Sequence, residues 1–252
     1  PNKQVNIIYT PIKQKKPRPI NVLSIGATQI DSTIVGAIGK VNISGNNWGV
    51  FGVGKDITIF GGGSGNITVG SGTTIGGGFK NVTSIGDLNT VGDIALDVAI
   101  LGNFNTVGDL NIVTSINGDL NVVGSAVTFT NIYGSGNTID DSTSNSNING
   151  SGNRLASIED SSGTTGSTNV TIFGSSNTVE VANGIFIAGT GNTITSGLTN
   201  VTIFGDDITA TTSNMLYTDS IQMSSGSTIN GLPVSGLTGS NLWTSGSTGN
   251  YS

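Results

Sequence analysis

The sequence predicts an elongated, repetitive all-β fold, and three observations support this. Asparagine and glycine recur with a period of sixteen residues, and an aliphatic residue holds a fixed place in each period. The composition also suits short strands joined by turns. Sixteen residues are too few for a helical repeat, whose units exceed about thirty residues. Each period is therefore expected to be one coil of two or three strands in a β-solenoid or a triple-stranded β-helix.

The composition excludes several classes of protein. Charged residues make up 10% of the chain, against about 25% in ordinary globular proteins, and 40 of 252 residues are glycine. The many Val, Ile and Thr residues favour strands over disorder. The chain has no Cys and no His, which removes thiolate chemistry and the commonest general base and metal ligand. We therefore expect no catalytic residue, no cofactor, no metal site and no enzymatic activity.

The repeat predicts a ladder of polar side chains and a column of core residues. A glycine lies three positions before each repeated asparagine and an aliphatic residue two positions after it, as in Gly86, Asn89 and Val91. Coils stacked about 4.8 Å apart would let the amides bond to the coils above and below, with the aliphatic residues facing inward. The predicted ladder consists of Asn89, Asn105, Asn121, Asn137, Asn153, Asn177 and Asn192. The predicted core column consists of Ile43, Ile59, Ile75, Val91, Val107, Val123, Ile139, Leu155, Val179 and Ile194.

The repeat divides the chain into three segments. Residues 23–210 form the predicted shaft, between a basic Pro-rich segment at 1–22 and a transition segment at 211–252 that we expect to lead into a tip. Within the shaft the step from Asn153 to Asn177 is 24 residues. The eight extra residues are assigned to a protruding loop at 161–168, which is rich in Ser, Gly and Thr. Alternating apolar residues from Ile94 to Ile100 predict a strand.

Charge and coil size indicate the partners. Residues 1–20 carry five basic residues and no acid, whereas the remainder carries four basic residues and fifteen acids. The acidic body repels phosphate, so nucleic acid and anionic membranes are not expected partners. A sixteen-residue coil with few Phe residues encloses little apolar volume. We therefore expect three copies to share a core, either intertwined or side by side.

Some repeat phrases resemble a known class of proteins. Residues 169–179, 187–194 and 201–205 resemble shaft repeats of tailed-bacteriophage fibres and related trimeric β-helical needles. Residues 229–236 and 242–246 resemble junction sequences of such fibres, so the resemblance spans about residues 40–252. It implies a homotrimeric component of a tail or head fibre, made in the host cytoplasm and exposed on the virion. One end would be anchored on the particle, and the other would reach toward a host glycan or protein for adsorption.

The N-terminal segment fits such an anchor. Its basic residues lie among prolines, which favour an extended conformation, so the segment should not fold alone. We expect it to dock on an acidic virion protein by adding to a sheet edge or by lying in a groove. The alternative is a solvated tail. The predicted anchoring residues are Lys13, Lys15, Lys16 and Arg18.

Three other functions stay open at this point. The coil length resembles that of trimeric autotransporter adhesins, which need a secretion signal and a membrane anchor not found in these residues. A glycan-cleaving tailspike needs paired carboxylates, but the adjacent acids at 140–141, 159–160 and 206–207 would point to opposite faces of a strand. An ice-binding solenoid needs a regular Thr row. The threonines that follow the ladder residues approach one, but Val122 and Arg154 interrupt it.

Overall fold

The computed structural model of the chain is all-β, and the predicted β-solenoid of sixteen-residue coils is confirmed. It describes residues 23–26, 30–31, 41–44, 47–53, 57–59, 63–160, 163–218, 228–229 and 232–233, with side-chain burial for residues 65, 68–158 and 165–218. Every regular element in these ranges is a strand. The described residues accordingly include no helix that could cross a membrane. The chain divides into two compact units, Pro1–Tyr217 and Thr218–Ser252.

The described strands of the solenoid form two twelve-stranded sheets. In the first sheet most strands have two residues, and we call it the short-strand sheet. In the second sheet most strands have six residues, and we call it the long-strand sheet. The short-strand sheet contains Leu23–Gly26, Val41–Ser44, Ile57–Ile59, Thr74–Ile75, Thr90–Val91, Thr106–Val107, Val122–Val123, Thr138–Ile139, Arg154–Leu155, Thr178–Val179, Thr193–Ile194 and Thr209–Ala210. The long-strand sheet contains Ile30–Asp31, Asn47–Val53, Gly63–Val69, Lys80–Ile85, Leu96–Leu101, Ile112–Asn117, Thr128–Tyr133, Ser144–Asn149, Thr168–Phe173, Asn183–Ala188, Thr199–Phe204 and Leu216–Thr218.

One short strand and one long strand make up each regular coil. Thr106 pairs in parallel with Thr90 in the coil before it and with Val122 in the coil after it, each sixteen residues away. The long strand Leu96–Leu101 pairs in the same way with the long strands of both neighbouring coils. These pairs form within a single chain, so each coil closes around its own core.

The predicted aliphatic column forms the inner face of the short-strand sheet. Its members from Ile75 to Ile194 are at most 1% exposed, and Ala210 extends the column by one coil. Ile43 and Ile59 occupy the same register on their strands, although their side chains lie outside the described set. From Ile75 to Ala210 the column is therefore one continuous buried row.

The long-strand sheet supplies the opposite wall of the core. Val98 and Ile100 of the strand Leu96–Leu101 are each 1% exposed. Alternation predicted a strand that starts at Ile94, whereas the strand begins at Leu96. Ile94 precedes the strand, has φ of 56° and is 51% exposed. A positive φ at the turn directs its side chain outward, which the period-two pattern does not reveal.

The seven ladder asparagines are buried and join coil to coil. The backbone N–H and the Nδ2 amide of Asn121 both donate to Oδ1 of Asn105, each at 3.0 Å. The Nδ2 amide also donates to the Gly134 carbonyl in the next coil at 2.8 Å. Oδ1 of Asn121 accepts two bonds from Asn137 at 3.0 Å. The same pattern of donation runs from Asn105 to Asn192.

The glycine column completes this ladder. Gly118 has φ of 143°, and a Cβ built on it would lie 1.9 Å from the Gly134 carbonyl oxygen. That oxygen accepts the Asn121 amide, so it has no freedom to move away. Both the backbone conformation and the space therefore require glycine.

The inserted segment is a hairpin, and it begins earlier than the sequence indicated. Ser157–Asp160 and Gly163–Gly166 pair as antiparallel strands, separate from both large sheets. The prediction of a loop at 161–168 is therefore wrong in its bounds. Residues 166 and 167 are buried, and Thr168 already begins the next long strand. Ser, Thr and Gly are common in the solenoid wall itself, so composition did not separate the wall from the insertion.

The last strands of the solenoid and the strands of the second unit are arranged differently. The solenoid sheets end with Thr209–Ala210 and Leu216–Thr218, whereas the sequence placed the end of the shaft at residue 210. In the second unit, Thr228–Ile229 pairs with Leu232–Pro233 in an antiparallel arrangement. The predicted anchoring residues of the N-terminal segment lie outside the described residues.

Replacing one ladder residue should destabilise the solenoid strongly. Asn121→Ala leaves two donors of Asn137 and the Gly134 carbonyl without their side-chain partner, whereas the backbone N–H of residue 121 still donates to the Asn105 oxygen. We expect a loss of about 3 kcal/mol or more in the free energy of unfolding, measured by urea denaturation. Asn131→Ala, on an exposed residue of a long strand, is the control and should cost less than about 0.5 kcal/mol. Equal effects of the two substitutions would contradict the ladder's role.

Candidate interaction surfaces

Acidic side chains at the turns bond the coils together on the outside. The backbone N–H of Asp93 donates to Oδ1 of Asp109 at 2.7 Å, sixteen residues further along the chain. Asn103 performs the same role for the N–H of Asp87 at 2.8 Å. The other aspartates that accept such a bond are Asp87, Asp93, Asp119, Asp141 and Asp206, each at 2.6 Å. These carboxylates satisfy backbone donors where the sheets are interrupted.

The acids of the pairs at 140–141 and 159–160 do not form a catalytic carboxylate pair among the described side chains. Asp140 makes an ion pair with Arg154 on the next coil. Glu159 and Asp160 lie on the inserted hairpin, and their side chains are outside the described set. In the described part of the chain, no three His, Cys, Asp or Glu side chains lie together as a metal site would need.

The threonine row lies on the outer face of the short-strand sheet. Thr90 and Thr106 are exposed, whereas Thr138 is half-buried. Val122 and Arg154 occupy the same row and interrupt it, as the sequence indicated. Each two-residue strand presents one residue outward, so the row is a single file of side chains.

Large apolar side chains are exposed on a limited group of coils. Twelve of the sixteen exposed large apolar residues in the described ranges lie between Ile85 and Tyr133, so the exposure is local. Six of them flank the turn that follows the long strand, where they form a row that we call edge one. Edge one consists of Ile85, Leu88, Leu101, Phe104, Leu120 and Tyr133, which are 40–60% exposed.

A second row flanks the turn that leads into the long strand, and we call it edge two. Its members are 38–56% exposed. Edge two consists of Ile94, Leu110, Ile112, Val113 and Phe129. The two edges lie at opposite ends of the same long strands, which at six residues are about 20 Å long. Between them, the outer face carries the small residues Thr83, Ala99 and Ser115.

Many edge residues adopt a backbone conformation that suits glycine. Leu88, Phe104 and Leu120 have φ between 56° and 59°. In later coils of the same column, Gly136 and Gly152 have φ of 67° and 65°. Edge two shows the same feature at Ile94, Leu110, Val113 and Phe129, with φ of 51–58°. A bulky or β-branched residue in this region is a genuine outlier.

An aromatic cluster lies further along the long-strand sheet. The Phe186 ring lies 5.9 Å from Phe173 and 5.5 Å from Phe204, measured between ring centroids. Phe173 and Phe204 are 45% and 49% exposed. Phe173 lies two strands from Tyr133 in the same outward row. The outward row of edge one therefore extends along the solenoid as an apolar row with polar interruptions.

Sequence reasoning did not identify the two edges. In the repeat, aliphatic residues at a fixed position predicted the core, and glycines predicted turns. The signal lies in the comparison of coils, where Leu88 and Phe104 stand in the column that holds Gly136 and Gly152. A large apolar residue in a glycine column cannot point into the core.

In the outer aspartate row, loss of the accepting Oδ1 oxygen should lower the unfolding free energy more than loss of the negative charge. Asp109→Ala removes the acceptor for the Asp93 N–H, and we expect a loss of about 1 kcal/mol in unfolding free energy. Asp109→Asn keeps Oδ1, as Asn103 does naturally, and should cost less than half as much. Urea denaturation of both variants gives the comparison. If Asp109→Ala is as stable as the parent protein, the inter-coil bond contributes nothing.

No protein-family model matches the chain, and no curated protein is significantly similar to it.

Proposed function

We propose that this chain is the shaft of a homotrimeric virion fibre. Its N-terminal segment attaches to the particle, and the solenoid projects toward the host surface for adsorption. The role is structural, with no catalytic step. The observation that carries the proposal is the continuous stacking of coils, which makes a rod.

The stacking supports the proposal because it combines length with stiffness. Twelve strands in each sheet, spaced about 4.8 Å apart, correspond to a rod of about 50–60 Å. Neighbouring coils are joined by two sheets, by the buried asparagine ladder and by the outer aspartate row. The inserted hairpin is the one long excursion from this pattern among the described coils. A spacer needs these mechanical properties and needs little chemistry.

The described acids support a structural role over glycan cleavage. Cleavage requires two carboxyl groups about 5–9.5 Å apart on either side of a substrate, and one of them must hold a proton. Asp109 and Asp119 instead accept backbone N–H groups from the preceding coil. Carboxylates that stabilise the coil boundary are poorly placed to exchange protons with a sugar.

The N-terminal segment and the repeat phrases support the virion assignment. The first twenty residues are basic and Pro-rich, in contrast to the acidic solenoid. The segment is thus suited to an acidic docking partner through charge as well as through an extended backbone. The resemblance of residues 169–179 and 201–205 to phage fibre shafts adds a second and independent support.

Charge reversal tests the attachment. Replacing Lys13, Lys15, Lys16 and Arg18 together by Glu should abolish incorporation into particles, because the anchor would then repel its acidic partner. The solenoid should keep its unfolding midpoint. Incorporation is measured by immunoblotting of purified particles, with Lys80→Glu, an exposed basic residue of the solenoid, as the control. Normal incorporation of the fourfold variant would rule out this anchor.

A further inference from the structure

We infer that copies of this chain pack side by side and parallel, with edge one of each copy against edge two of the next. The inference deepens the proposed fibre shaft and rests on it, since it names the surfaces that would join the three chains. It begins from an unfavourable feature of the isolated chain.

The edge residues destabilise the coil that carries them. Leu88, Phe104 and Leu120 adopt positive φ, which glycine adopts freely and which strains a residue with a Cβ. They also expose about half of each side chain to water. The coils containing Gly136 and Gly152 show that glycine satisfies the same turn. Apolar residues at these positions therefore serve a contact outside the coil.

Each edge exposes enough apolar area to form the centre of an interface. A soluble monomer rarely exposes a contiguous apolar patch above about 300–600 Å². With about half of a 150–200 Å² side chain exposed at each position, edge one presents about 500 Å² and edge two about 400 Å². A stable interface buries about 800 Å² on each partner. The edges can thus supply the apolar centre of two contacts, to which the flanking polar residues add area.

The placement of the edges favours a second copy of this chain as the occupant. Both edges lie on the same coils. Edge one of one copy therefore faces edge two of the next copy without a shift along the rod axis. Both also repeat at the coil spacing: the Phe104 N–H bonds to the Asp87 carbonyl at 2.9 Å, and the Leu110 N–H bonds to the Asp93 carbonyl at 2.8 Å. Side chains of equal spacing interdigitate over several coils.

The contact is heterologous, because two different surfaces meet. Such contacts form a closed ring when the rotation between copies closes, and an open assembly when it does not. For a ring of three, the outer face of the long-strand sheet lies toward the common axis. Its small residues Thr83, Ala99 and Ser115 permit close approach there.

Glycine substitutions separate assembly from folding. Phe104→Gly with Leu120→Gly relieves two strained turns, so the coil should be at least as stable as the parent chain. The trimer should nevertheless be lost, with a mass near the 25.4 kDa of one chain by light scattering where the parent gives three times that value. Leu110→Gly should weaken assembly from the other edge. Ile158→Ala, at an exposed apolar residue of the inserted hairpin, should leave the trimer intact.

Cross-linking tests the pairing of unlike edges. The chain has no cysteine, so introduced thiols are unique. A short bis-maleimide should join copies into covalent trimers only when Phe104→Cys and Leu110→Cys are present in the same chain. Neither single variant should give covalent dimers, because like edges do not meet.

The outcomes distinguish this inference from the proposed function. A parent chain that is monomeric at high concentration would overturn the trimeric shaft itself. A trimeric parent whose glycine variants remain trimeric would overturn the edge contact alone. Covalent dimers of either single-cysteine variant would show that like edges meet, which contradicts the heterologous contact.

Discussion

The buried asparagine ladder is the interaction on which the other features of the solenoid depend. A primary amide in a dry core must satisfy two donors and one oxygen, and an unsatisfied group costs about 1–3 kcal/mol. Asn121 satisfies all of them with groups from the coils on either side. Each coil is thereby held in register with its neighbours from within. A shift of one residue would break several buried bonds at once.

The ladder, and not the number of residues in a coil, determines how the coils stack. The step from Asn153 to Asn177 is 24 residues, and the step from Asn177 to Asn192 is 15. The distance from the backbone nitrogen to the Oδ1 of the preceding ladder residue is nevertheless 3.0 Å in both cases. The eight extra residues leave the wall as a hairpin and return before the next long strand. The chain tolerates insertions between ladder positions because the buried bonds re-establish the register afterwards. This property permits a surface loop to be added to a rod without bending its core.

The repeat was sufficient to predict the solenoid, its inner column and its polar ladder, because each depends on a fixed spacing. Val91 and Asn89 occupy the places that a period of sixteen assigns to them. The outward position of Ile94 was not predictable from alternation, since a positive φ reverses the direction of the side chain. The bounds of the insertion failed for a different reason, because Ser, Thr and Gly occur both in the wall and in loops. The two apolar edges became apparent only when φ and exposure were known for each coil.

Side-chain amide exchange tests the ladder most directly. In a chain labelled with ¹⁵N-asparagine, the Nδ2 hydrogens of Asn105, Asn121, Asn137, Asn153 and Asn177 should exchange with solvent about 100-fold more slowly than those of Asn131 and Asn149. The buried amides donate both hydrogens within the core, whereas the two reference residues are exposed on the long strands. Exchange measured by NMR at the same rate for both groups would show that the amides are open to water. That result would contradict a ladder that holds the coils together.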